Sequence, residues 1–229
     1  MKTLLQLNTS LFSDGGQSSR LAEEFVAQFP QARVIARDLA KNPLPHLDAE
    51  RFGALLAKPE ARTPAQQAVL DESDALLTAE LKRSHSPYYY MLGLASNARK
   101  RGTPAGNVAA IDWARQAYES SKGPATRLQW GGSYVNYLLE LSPQDAAQIE
   151  KAAASVIGEL EPRPGSYSGR SQISLERLSD RLVKWNKDGS HDAMLKRLNT
   201  KLAPTCAAAA PDGADRRACE ALFTPGNRA

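Results

Sequence analysis

Residues 3–20, TLLQLNTSLFSDGGQSSR, place a short apolar run directly ahead of a loop crowded with hydroxyls and glycines. Thr3 to Leu7 reads as a strand of the kind buried on both faces of a parallel sheet. A loop from Asn8 to Gly16 follows. Ser18 or Ser19 then caps a helix whose apolar face is Leu21, Phe25, Val26 and Phe29. Pro30 ends that helix. A strand running through such a loop into a helix is a common phosphate cradle. The free N–H groups and positive dipole end of the helix hold an anion without a lysine. The same residues also read as plain helix caps and a plain Gly15-Gly16 turn, and the local stretch leaves both readings open.

Working outward, Arg33–Arg37 (RVIAR) reads as a second strand. Asp38-Leu39 leads into KNPLPHLD, whose prolines forbid regular structure. Asp48 is placed to cap a helix running towards Lys58. Thr63-Pro64 with Gln66 and Gln67 makes a strong helix start, with proline at the first helical position and a capping-box glutamine at the third. That helix continues through Val69, Leu70, Leu76, Leu77 and Leu81. The order strand, helix, strand, loop, helix, helix opens a doubly wound α/β sheet. Such a sheet requires a third parallel strand next, and none is visible. Residues 83–106, RSHSPYYYMLGLASNARKRGTPAG, have no Val/Ile-rich run and read as a linker or loop.

From Asn107 onward the chain reads as helices. Ile111, Trp113, Ala114 and Tyr118 mark one, broken by Gly123-Pro124. Trp130, Tyr134, Tyr137, Leu138 and Leu141 mark the next. Ser142-Pro143 restarts the pattern with Ile149, Ala153, Val156, Ile157 and Leu160, and EPRPGSYSGR is turn chemistry. Leu175, Leu178, Leu182 and Trp185 recur at helical spacing, as do Met194, Leu195, Leu198 and Leu202. The alanine-rich tail is expected to fray. The charge changes sign with the pattern. Residues 1–82 hold nine Lys/Arg against eleven Asp/Glu, whereas the remainder holds twenty against fourteen.

The 229 residues, 42% hydrophobic and 24% charged, suit one large or two small globular domains. A net charge of +4 without a dense basic run gives no support for nucleic acid. Arg99-Lys100-Arg101 reads as a solvated loop. No stretch approaches the roughly 18 apolar residues of a membrane span. MKTLLQLNTS is too short for a secretory core, so a cytoplasmic location is expected. His46, His85 and His191 are scattered singly, so no metal-ligand spacing exists. Cys206 and Cys219 close a small loop in an oxidising compartment or remain free thiols in the cytosol. The three tryptophans read as core. Of the consecutive tyrosines 88–90, at least one must face solvent. No catalytic constellation supports a hydrolase or a metalloenzyme.

The strand KTLLQLNTS, the GQSSRL after its loop, ARDLAKNPLPHLD and RTPAQQAVLDESDALLTAELK resemble, in this order, the bacterial FMN-dependent NADH-azoreductases, a branch of the flavodoxin-like quinone reductases. The resemblance covers residues 1–82. It implies a partial flavodoxin-like half domain holding non-covalent FMN. Hydride would pass from NADH or NADPH through FMN to a quinone or azo acceptor, in a homodimer. Carried over by residue, it implies that Ser10, Gln17, Ser18 and Ser19 contact the FMN phosphate. The family rests the flavin ring on a P-x-Y-N-F-like loop after the third strand and a Gly-Gly loop after the fourth. Residues 86–91, SPYYYM, are the candidate for the first and place Tyr88 and Tyr89 near the ring, although they lack the asparagine and the preceding strand. Gly131-Gly132 follows LQW rather than a strand and matches the second poorly. The missing catalytic side chains are consistent with this chemistry, because the cofactor carries it.

More loosely, residues 107–219 are similar to the helical C-terminal region of some exported bacterial thioredoxin-like proteins, without their CxxC domain. That likeness implies a Cys206–Cys219 disulfide in an oxidising compartment, at odds with a cytoplasmic front half. The expected organisation is a flavodoxin-like part over 1–82, a linker over 83–106 and a mostly α-helical region over 107–229. The alternative to an oxidoreductase is a non-enzymatic chimeric or truncated chain whose helical half binds a partner or serves as a structural module.

Overall fold

Strands β1 (Thr3–Asn8) and β2 (Arg33–Asp38) pair in parallel, in a register that runs from Thr3 opposite Arg33 to Asn8 opposite Asp38. Helix α1 (Gln17–Ala27) connects them and packs on β1. The computed structural model describes residues 2–41, 49–209 and 213–224. The expected Asp48 cap, His46 and most of the proline-broken KNPLPHLD stretch lie outside the described residues. The chain divides after Phe52 into two compact units, with helix α2 (Ala49–Leu56) spanning the division.

The first unit departs from the expected burial. Leu5 is 65% exposed and Leu7 51%, so β1 is not covered on both faces. Side chains alternate across a strand, and only the Leu4, Gln6 and Asn8 face is withdrawn from solvent. Helix α1 turns Ser19, Ala22 and Val26 inward. The expected apolar face at Leu21 and Phe25 points to solvent instead. The physical reason is the number of layers: a parallel sheet hides both faces only with helices on both sides. Among the described residues the sheet has two strands.

The regular elements among the described residues of the second unit are all helices. A short 3₁₀ turn (Pro59–Ala61) precedes α3 (Pro64–Leu81). Thr63 accepts from the Gln66 N–H, and the Gln66 side chain accepts from the Thr63 N–H, so the capping box forms as read. The stretch 83–106, read as a linker, instead builds α4 (Tyr88–Lys100). Pro87 presets the entering backbone, and Leu94, Ala95 and Ala98 bury one face until Gly102 stops the helix at φ +66°. The supposed loop Arg99-Lys100-Arg101 is the end of that helix. Arg99 pairs with Glu140 at 2.9 Å and Arg101 with Asp71 at 2.8 Å.

Thr103 caps α5 (Pro104–Ser120) by accepting from the Gly106 N–H. Helices α6 (Pro124–Leu141), α7 (Ala146–Ile157), α8 (Gly169–Trp185), α9 (Asp192–Ala209) and α10 (Ala214–Glu220) complete the unit. Leu128, Leu138, Ile149, Val156, Leu175, Leu182, Leu195 and Leu202 share one buried cluster, with Trp113, Trp130 and Trp185 packed against it. Of the tail expected to fray, Ala210 and residues 225–229 lie outside the described residues. Helix α9 runs on to Ala209, and Phe223 is fully buried. Cys206 and Cys219 are joined as a disulfide inside this cluster, their Cα atoms 5.5 Å apart.

Candidate phosphate site

The C-terminal ends of β1 and β2 open into the hydroxyl-rich loop, the end of a parallel sheet at which α/β folds place ligands. A 3₁₀ turn at Ser13–Gly15 folds the loop back, and the Ser10 hydroxyl accepts from the Phe12 N–H at 3.2 Å. Gly16 is required by this close approach. A Cβ added there would lie 2.1 Å from the Ser10 Oγ. Gly16, not Ser18 or Ser19, is the N-cap of α1, and no side chain caps the helix. The reading of the serines as caps is thereby corrected. The first N–H groups of α1, at Gln17, Ser18 and Ser19, have no carbonyl a full turn back to accept from within the helix.

Gln17 and Ser18 are exposed, Ser10 is half-buried, and Ser19 is 1% exposed. The Ser19 hydroxyl is buried without a hydrogen-bond partner. A buried polar group left unpaired costs about 1–3 kcal/mol. An orphaned hydroxyl in the first turn of a helix, alongside free N–H groups and Ser10, is a donor set suited to an oxyanion.

Charge around the loop is arranged by residues the sequence reading passed over. Ser13 donates its hydroxyl to Asp38 Oδ2, so Ser13 is committed within the protein. Asp38 Oδ1 accepts from the Ala40 N–H at 2.9 Å. The Ser13 hydroxyl, opposed by partial burial and aided by the backbone N–H groups of Ala40 and Lys41, holds the Asp38 carboxyl below its ordinary range. Lys41 lies 2.7 Å from Asp14 and 3.6 Å from Asp38, and the contact with Asp14 raises its ammonium above the ordinary lysine value. The signal for Asp38 was available: an acid ending the second strand sits level with the mouth of a loop that ends the first.

Tyr88 and Tyr89, expected near a flavin ring, belong to the helical unit. Both lie in the first turn of α4, Tyr88 buried and Tyr89 exposed, with ring centroids 4.7 Å apart. Gly131-Gly132 is not a loop but the middle of α6. A Cβ on Gly131 would lie 2.4 Å from Val156 Cγ2, so this glycine lets α6 and α7 approach closely. The residues therefore fit the phosphate end of FMN. For the ring, the described residues offer neither strand-delivered loop. Among them no group of three or more His, Cys, Asp or Glu could hold a metal, and no helix is long and apolar enough to cross a membrane.

Similarity to known proteins is found at the same end of the chain. The family model described as "Flavodoxin-like fold" matches residues 1–91. An FMN-dependent NADH:quinone oxidoreductase of Cellvibrio japonicus is 51% identical over 81 residues, 34% of this chain and 41% of that protein. A protein of the same name from Marinomonas sp. is 43% identical over 86 residues, 36% of this chain and 43% of that protein. One from Paraburkholderia phymatum is 44% identical over 86 residues. The matched segment spans about two fifths of the length of these relatives. No solved structure matches the chain. The N-terminal part of the chain is therefore flavodoxin-like, and over that part it is similar to the FMN-dependent NADH:quinone oxidoreductases.

Proposed function

We propose that the loop before α1 holds the phosphate of FMN, with Ser10, Gln17, Ser18 and Ser19 as donors. On this reading the chain is an FMN-dependent NAD(P)H oxidoreductase of the quinone reductase or azoreductase type, working as a homodimer on a small quinone or azo acceptor. The observation that carries the reading is the buried, unpartnered Ser19 hydroxyl in the first turn of α1. When bound, FMN supplies the hydride-carrying chemistry. The protein's part is to fix the phosphate through the free N–H groups and hydroxyls and to keep Asp38 occupied by Ser13 and Lys41, away from a second anion.

The test is a fluorescence titration of the purified chain with FMN, followed by an NADH oxidation assay with a quinone. Saturable quenching is expected, weakened about tenfold in Ser19→Ala, which removes a hydrogen bond to a charged group. Protein that stays colourless after dialysis against excess FMN would overturn the reading. A non-enzymatic role for the helical unit is the second reading. It draws support from the self-contained buried cluster of that unit, which includes its own disulfide.

A further inference from the structure

We propose that a groove on the helical unit, walled by α4, α6 and α8, binds a planar aromatic carboxylate. The groove has a volume of about 690 Å³ and is lined by Tyr89, Gln129, Trp130, Arg170, Ile173 and Arg177 among others. That volume falls within the range of small-molecule sites, about 300–1,000 Å³.

One wall is aromatic. The rings of Tyr89 and Trp130 meet edge to face, their centroids 5.6 Å apart and their planes at 84°. Tyr88 backs this corner, 4.7 Å from Tyr89 and 6.4 Å from Trp130. An inserted ring therefore meets one face and one edge, the two arrangements aromatic rings favour. Ile173, 48% exposed, extends the apolar surface from the opposite helix.

The other wall is cationic. Arg170 and Arg177 stand seven residues apart on α8, two helical turns, with Ile173 and Ser174 between them on the same stripe. Neither guanidinium has a carboxylate partner among the described residues. By contrast Arg99, Arg101, Arg115, Arg127 and Arg197 are all paired with acids. Among the described residues that line the groove there is no aspartate or glutamate. The first residues of α8 also contribute, and with them the positive end of its dipole.

A guanidinium fork binds a carboxylate in two parallel hydrogen bonds, which a neutral group of the same shape does not reproduce. The aromatic corner and Ile173 add affinity for a flat apolar body, which a simple inorganic anion lacks. Together they select the combination of ring and carboxylate rather than either part.

Calorimetric titration of the full chain with 1-naphthoate tests this. Saturable one-to-one binding is expected, weakened at least about tenfold in the double variant Arg170→Gln/Arg177→Gln, as loss of charge-assisted hydrogen bonds requires. Tyr89→Ala is expected to weaken binding as well. Acetate and 1-naphthalenemethanol, each keeping one half of the ligand, should bind about tenfold more weakly or not at all. All three substituted side chains are exposed, so the variants should melt with the parent in circular dichroism. Absence of saturable heat with 1-naphthoate overturns the proposal. So does equal affinity for the neutral alcohol, or undiminished binding in a folded double variant. Should the double variant fail to fold, Tyr89→Ala and the two half-ligands decide.

Discussion

On Glu159, two side chains converge. Arg127 donates from Nε at 2.7 Å and from Nη2 at 2.8 Å, and the Tyr118 hydroxyl donates at 2.6 Å. The same guanidinium lies 4.9 Å from the centre of the Tyr118 ring. The pair with Arg127, and then the Tyr118 bond, outweigh burial and pull the Glu159 carboxyl below its ordinary value of 4.5. A lowered folded value stabilises the protein above the unfolded value, and that stability is lost as pH falls through the folded one. The thermal midpoint should therefore drop on acidification below about pH 4.5. It should drop less steeply in Glu159→Gln, which has no proton to take up. Melting curves of both proteins between neutral pH and pH 3 would show it, and parallel curves would remove Glu159 from the acid response.

The elements differ in how much of each was written locally. Helix α3 announces itself, because Thr63, Pro64 and Gln66 satisfy its first N–H groups with residues adjacent in sequence. Thr63→Ala removes one acceptor of the capping box and should cost about 1 kcal/mol, read as a shift in the urea midpoint. Helix α4 was hidden. Its start carries three tyrosines and no capping side chain, and its packing surface is made of small residues such as Gly93 and Ala95. A Cβ on Gly93 would lie 2.9 Å from Leu77, so this glycine lets α4 lie close to α3, a contact that hydrophobic periodicity does not report. The strands were legible from their apolar runs, but their exposure was not, since a run of leucines says nothing about how many layers will cover it.

For the molecule as a whole, similarity and compactness divide the chain at different places. The flavodoxin-like match runs to residue 91, yet α3 and α4 fall within the helical unit that begins after Phe52. That unit is closed near its end by Cys206–Cys219, 13 residues apart in sequence and fully buried beside Leu202 and Phe223. By the chain-entropy argument a loop of this size is worth about 3 kcal/mol. Cys206→Ala/Cys219→Ala should lower the unfolding free energy of the helical unit by about that amount, measured in denaturant. A reductant should do the same to the parent protein and nothing to the variant. The part of the buried cluster that α8 and α9 supply was foreseeable from the helical spacing of Leu175, Leu178, Leu182, Leu195 and Leu198, all of which are buried, whereas Ala95, Tyr167 and Phe223 were not.

Local chemistry in the sequence determined the strand–loop–helix opening, the second strand, the capped start of α3 and the apolar stripes of the later helices. These depend on residues within one or two turns of each other, where backbone hydrogen bonding and side-chain period act directly. Tertiary structure alone decided that Gly16 rather than a serine caps α1, that the Ser19 hydroxyl is buried without a partner, and that Gly131-Gly132 is a helix contact instead of a ring-binding loop. It also decided that Arg170 and Arg177 line one groove with Tyr89 and Trp130, with no acid among its described lining residues. Each of these depends on which groups from distant parts of the chain arrive at the same point, and burial and electrostatic pairing are set there.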